Sequence, residues 1–487
     1  VPERVVRFAA SQVLSQLAAA RAGAQHPLGR AVVRGFGPPW QQDPAQSAFV
    51  LAGLTSWLHF DDTAYAGHLS NSTVTVPLAY AHGLGLDGRQ LLTAVIAANE
   101  CAARVTAAAT LGPFRGQNAA HTHVAGAVSG RLRASDAPLD EWVNAFGIAF
   151  AMPPRPFLRA FLGSDAKVLS AAVPVRAGLD ACDAARAGLV GPSDILEHPD
   201  GFLAAFSSVP LPEAVDLDLG RRWHTETLSF KLHPGGPGLD AAVDCARELR
   251  AAIGPVQAAD IADVVVTTSM YTLVVDQKAA EFVDAQRSPV SALVFCTPYA
   301  VATALLTGNL TAADFALPAV ADPARWQLAA RVRLEHDSAM TRESLLSAAP
   351  FGEALRQAGP RAAKWLEEVG GDWLVELVGT PAEPAPTFET ATKATPARVE
   401  VRLANGDVHG RELSIPRGAI GPELRAGHAA LVREKYLATG GPVDVADIAS
   451  ELADASARDV RTSPARSLDG CALPAGALSR TSTACRS

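Results

Sequence analysis

Aromatic residues are scarce in this chain, 6% of 487 residues, so its core cannot rest mainly on large rings. A basic stripe is missing too: the net charge is -8 and the pI about 5.9, which sets nucleic acid aside as an expected partner. No apolar run approaches the roughly 20 residues of a membrane span, so no membrane partner is expected. The six cysteines, at 101, 182, 245, 296, 471 and 485, form no CxxC pair, which argues against a zinc or iron–sulfur site with local cysteine spacing. The first four lie in apolar segments and read as small hydrophobes. Such thiols fit a reducing compartment, and the N-terminus shows no charged-then-apolar leader pattern, so a cytoplasmic location is expected. GxSxG, Walker A, HExxH and a complete GxGxxG are absent as well, against the common hydrolase, nucleotide-binding and zinc-peptidase classes.

What is present is small, apolar and helical in pattern. The chain is 48% hydrophobic and 19% charged, with recurring alanine runs, and it is too long for one ordinary domain. Helical spacing runs through 7–21, 88–108, 139–150 and 167–187, punctuated by glycine and proline. Near Phe230 the character changes. A helix is expected over 239–253 and another over 298–306, with strands over 261–268, 326–332 and 398–403 and a hairpin turn at Asn405-Gly406. The stretch 381–396 reads as a loop; helices return over 421–437 and 445–456. The expected fold is mainly α. A large helical domain is built from 1–228 plus 414–462, with an α+β lid over 229–413 that carries an extra segment at about 336–395. A disordered tail follows over 463–487. A cleft between domains is the default place for a small-molecule site.

Polar residues collect in islands. The first is His59-Phe60-Asp61-Asp62-Thr63 with His68, set between apolar segments. It reads either as a helix cap or as a site of proton chemistry, because charges between buried helices are paired or used. The second is Asn118 to His123, in which His121 and His123 are open to reading as metal ligands, proton carriers or loop residues, followed by Gly126 and Gly130. The third is Gly163-Ser164-Asp165-Ala166-Lys167, whose lysine near a helix start is either solvated or held for an anion. The fourth is Lys231-Leu232-His233-Pro234-Gly235-Gly236, a hinge or a second cation at the junction. Together His68, His121 or His123, Lys167, Lys231 and Thr63 supply, without a metal, a base for a weakly acidic C–H and cations for carboxylates and enolate-like charge.

In this order and spacing the motifs resemble the MmgE/PrpD family, which includes 2-methylcitrate dehydratase, cis-aconitate decarboxylase and iminodisuccinate epimerase. Phe60-Asp61-Asp62-Thr63 with His68, His121 with Gly126 and Gly130, Ala145 to Ala149, Gly163 to Lys167, Lys231 to Pro234, and Pro298 to Ala302 before Leu305 to Leu310 carry the likeness. The resemblance implies a cofactor-free, metal-free site between the domains of a homodimer, with His68, His121, Lys167 and Lys231 catalytic. It places His59, Asp62, Thr63, His123 and Tyr271 at the substrate, Asp61 and Asp62 orienting and capping. Departures are His59 where relatives often carry Asp, Leu69 in place of a proline, and the run Gly235-Gly236-Pro237-Gly238 where tricarboxylate binders carry histidine. The expected activity is that of a 2-methylcitrate dehydratase-type lyase on a small carboxylate or another substrate with an acidic C–H. Decarboxylation, epimerisation, a biosynthetic elimination or cyclisation, and a binding protein without catalysis are the alternatives.

Overall fold

The computed structural model describes residues 1–64, 67–112, 120–236 and 238–471. Asn118 of the second island, Pro237 of the glycine run and the tail from 472 fall outside these residues. The fold is mainly α.

The long helices start where local chemistry tells them to. Gly88–Ala109 opens on a reciprocal capping box between Asp87 and Gln90, and Pro44–Thr55 on Asp43 with proline in its first turn. Glu3–Gln25 is buried along most of its length and carries Ser11, Gln12, Ser15 and Gln16 inward among its alanines. Close packing through small side chains is seen at Gly126 in Ala120–Ala134: a Cβ there would stand 2.3 Å from Ser72 Oγ. Gly88–Ala109 is also long and apolar enough to cross a membrane by length and composition alone, contrary to the expectation that no segment is. Most of it is buried in the protein core, where Asn99 and Arg104 bond inside the protein.

The sheet runs in the order Val332–His336, Ile261–Thr268, Ala397–Leu403, Val408–Leu413, with only the first pair parallel. Helices Asp240–Ile253 and Thr297–Thr307 share one apolar cluster with Val264, Val266, Val399 and Val401 of its strands. Gly406, at φ 96°, makes the turn of the expected hairpin.

Local readings needed correction in places. The strand expected over 326–332 is the helix Pro323–Ala329 followed by Val332–His336, because Asp322 caps and Pro323 starts a helix that Trp326 and Leu328 mimic as alternation. The expected helix 167–187 is a 3₁₀ turn, Asp165–Leu169, and then Ala172–Arg186. Within the described residues, 463–471 are not the disordered tail expected there. Ala457–Arg466 is a capped helix, Ser463, Pro464 and Leu468 are buried, and Arg21 donates to the carbonyls of Ser467 and Asp469. The extra segment also packs away from the sheet: Leu345, Phe351, Leu355, Trp365 and Phe388 join Phe8, Leu92 and Phe150 in the helical core.

A two-residue ladder positions the site. Asp62–Thr63 pairs antiparallel with Ser229–Phe230, and Lys231 N donates to Asp61 O at 3.0 Å. The first and fourth islands are thereby laced together, where the chain crosses from one core cluster (Trp57, Leu58, Phe60) to the other (Ala64, Leu69).

Candidate active site

Asp62 is fully buried. It accepts from Leu69 N at 3.2 Å, Ser70 N at 3.0 Å, Gln12 Nε2 at 2.7 Å and the Ser70 hydroxyl. It therefore caps the turn Ser70–Thr73 and anchors the loop, rather than standing open to a substrate as expected. Burial raises its pKa, and the neighbouring Asp61 adds to that.

Asp61 takes the other role. Its Oδ1 lies 2.8 Å from His68 Nδ1, while its Oδ2 is buried with no partner among the described residues. The carboxylate holds the proton of His68 on Nδ1 and leaves Nε2 to accept one. His68, at 9% exposed, is the least enclosed of the group around it. The His59 ring stands 4.3 Å from that of His68 and 4.9 Å from Phe295, on a backbone at φ 51°. Burial pushes its pKa well down, reinforced by Lys167, His68 and Lys231, so at neutral pH it adds no charge to the cluster.

Lys167 is enclosed by the rings of Phe295 and Phe161, 4.2 and 4.6 Å from its ammonium, and donates to Ser291 O at 3.4 Å. Burial in this apolar cage holds its pKa well below the usual lysine range, with only Asp61 opposing the shift. Lys231 is paired with Asp240, the first residue of Asp240–Ile253, and also donates to Gly236 O at 3.2 Å. His233 beside it is tied to Asp244 at 3.0 Å.

Two further lysines were missed. Lys393, in the proline-rich stretch read as a plain loop, donates to Thr63 Oγ1; burial and then the Lys231 charge bring its pKa down to about 8. Lys435 donates to Phe60 O, Ser15 Oγ at 2.8 Å and Asp61 O at 3.3 Å, and burial brings it down to about 7. Its signal in the sequence was hidden among the charges of Pro422–Ala438.

The histidines of the second island divide. His123 lies within electrostatic reach of His68 and Asp61 and 3.4 Å from Ser72 Oγ; burial, with His68, brings it down to about 3. His121 is brought to about 4 by burial alone, and among the described residues its ring packs 5.6 Å from Phe202. Tyr271 borders the cluster from Met270–Ala280: burial and then the Asp240 charge push its hydroxyl up to about 12, and Phe351 packs edge-on at 5.8 Å.

The arrangement thus brings His59, Thr63, His68, Lys167 and Lys231 around Asp61, with His123 behind them. Among the described residues no three His, Cys, Asp or Glu side chains converge as a metal site requires. A carboxylate-supported imidazole among buried amines is equipment for moving a proton beside bound anionic charge. No curated protein matches the sequence at a significant level. Two family models do match, the MmgE/PrpD N-terminal domain over residues 5–214 and the MmgE/PrpD C-terminal domain over 233–357, so Lys393 and Lys435 lie outside the matched ranges. The chain belongs to the MmgE/PrpD family, a dehydratase-like family of enzymes.

Proposed function

We propose that this protein is a cofactor-independent lyase that eliminates water from a small carboxylate substrate. The observation that carries the reading is the Asp61–His68 pair, with its 2.8 Å bond, facing buried lysines. His68 Nε2 takes the proton from the carbon beside the carboxylate, and that C–H pair becomes the new C=C bond. The C–O bond breaks at the neighbouring carbon, and the hydroxide leaves as water with a proton from an ammonium. Lys393, at a pKa of about 8, is cationic at neutral pH and bonded to Thr63, so it is the donor of choice. Lys231, held by Asp240, and Lys167, caged by rings, hold the carboxylate and the enolate-like charge.

The test is a panel of 2- and 3-hydroxy acids followed by mass spectrometry, together with deuterium uptake from heavy water at the acidic carbon. Loss of 18 mass units is expected (about 18, the mass of water); loss of about 44 means decarboxylation on the same equipment, and unchanged mass means isomerisation. His68→Gln should lower deuterium uptake at least about 100-fold, the low end of what a general base contributes. Undiminished exchange in a folded His68→Gln variant would remove the proposed base.

A further inference from the structure

One cavity lies apart from the proton chemistry above. Tyr271, Val274, Leu345, Phe351 and Trp365 line it with Ser269, the charged Lys278 and Glu368 are also among its lining residues, and its volume is about 600 Å³. That lies within the roughly 300–1,000 Å³ of small-molecule sites, which are mostly apolar with a few placed polar groups. The walls are fixed by bonds that consume the polar atoms behind them. Trp365 Nε1 donates to Gly112 O at 2.9 Å, and Met270 N donates to Thr341 Oγ1 at 2.9 Å. Phe351 packs between Trp365, at 5.3 Å, and Tyr271. Ser269 and Ser344, 1% and 2% exposed, bring hydroxyls to the same space that have no partner among the described residues.

Tyr271 belongs to both places. It packs edge-on against Phe351 in the cavity wall and lies within electrostatic reach of Asp240, the partner of Lys231. The adjacent Thr272 hydroxyl donates to Gly238 O at 2.9 Å, which fixes the start of this helix against the glycine run that follows Lys231. Much of the opposite wall comes from the segment at 336–395.

We infer that this cavity receives the apolar arm of the substrate: a carboxylic acid bearing a hydrocarbon or aryl group, its head at the lysine cluster and its arm passing Tyr271. The inference rests on the carboxylate site proposed above. A compact tricarboxylate would leave the cavity and its two serine hydroxyls unused. The hydroxyls suit a single oxygen or amide within an otherwise apolar arm.

Calorimetric titration of the full chain at pH 7 with butanoate, hexanoate and octanoate, the matching 1-alkanols, and succinate tests it. Affinity should rise about fourfold per added methylene in the acids, the value that burial of a CH₂ implies. The alkanols should bind more weakly at every length. Val274→Phe fills the cavity from the half-buried face of its helix; it should abolish the gain with length and leave succinate binding unchanged. A crystal soaked with 6-bromohexanoate gives a second reading on the wild-type protein, with anomalous density expected between Tyr271 and Trp365. Succinate binding without any gain along the acids overturns the inference and leaves the lyase reading standing. Bromine located elsewhere does the same. Alkanols that bind as well as the acids, with no succinate binding, overturn both.

Discussion

Lys435 is an ammonium surrounded by neutral oxygens: Phe60 O, Ser15 Oγ and Asp61 O. Burial lowers its pKa to about 7 from the usual lysine value of 10.5. Below pH 7 both folded and unfolded chains carry the proton, and the folded chain bears the full burden of a buried charge. Between about 7 and 10.5 the unfolded chain binds more protons than the folded one, so this residue's contribution makes stability rise with pH through that window. Lys393 acts with the same sign from about 8 upward. Buried cysteines and tyrosines push the other way at high pH, so the measurement is a difference: Tm of wild type and of Lys435→Met at half-unit steps from pH 6.5 to 9. The wild type should gain on the variant as pH rises; parallel curves would place the ammonium in a wetter setting than the structure gives it. Nothing in the residues 433–435 announces this. Arg433, Glu434 and Lys435 are consecutive charges within one helix, and only the tertiary neighbours of Lys435 reveal its burial. Lys167 and Lys231, by contrast, stood out because glycine, proline and apolar residues surround them in the chain itself.

Short local signals made most elements legible. The capping residues Asp87 and Gln90, the turn Asn405-Gly406 and the β-branched run of Ile261–Thr268 lie within a few residues of what they determine. The ladder between Asp62–Thr63 and Ser229–Phe230 could not be read that way, since its register depends on partners far apart in sequence. The same holds for Gly126, which looked like part of a histidine–glycine motif. In the fold it allows Ala120–Ala134 to approach the turn Ser70–Thr73, which Asp62 caps just after His68. A methyl group at 126 would meet Ser72 Oγ at 2.3 Å and Thr73 Cγ2 at 2.9 Å. Gly126→Ala should therefore destabilise the protein by about 1–3 kcal/mol, the usual range for overpacking, in urea unfolding. It should also lower the exchange activity by shifting the turn that orients His68. Adding Ser72→Ala removes the nearest atom and should recover part of both losses. No recovery would mean that the strain is carried elsewhere in the helix pair.

At the scale of the whole molecule, the decisive fact is that residues 338–391 lie in sequence between two strands of the sheet, Val332–His336 and Ala397–Leu403, yet join the helical core. Arg222 and Glu353 fasten them there: the guanidinium donates to Glu353 and stacks over Phe388 at 4.5 Å, with side chains 1% and 0% exposed. Glu353 also receives Arg356 at 3.4 Å, so the carboxylate is a junction between the segment and the body that carries it. A buried pair contributes little net stability against an apolar pair of the same shape, but breaking it from one side strands a charge. Arg222→Met and Glu353→Leu should each destabilise the protein by about 3–5 kcal/mol in urea unfolding, while the double variant should recover most of that loss. The segment supplies Leu345, Phe351 and Trp365 to the cavity beside Tyr271, so the same cycle has a second readout. In each folded single variant, hydrogen exchange over 338–391 should quicken, and the gain of octanoate over butanoate should shrink while succinate binding holds. If stability falls and the chain-length gain is untouched, the segment is a brace for the helical core and the cavity wall stands without it.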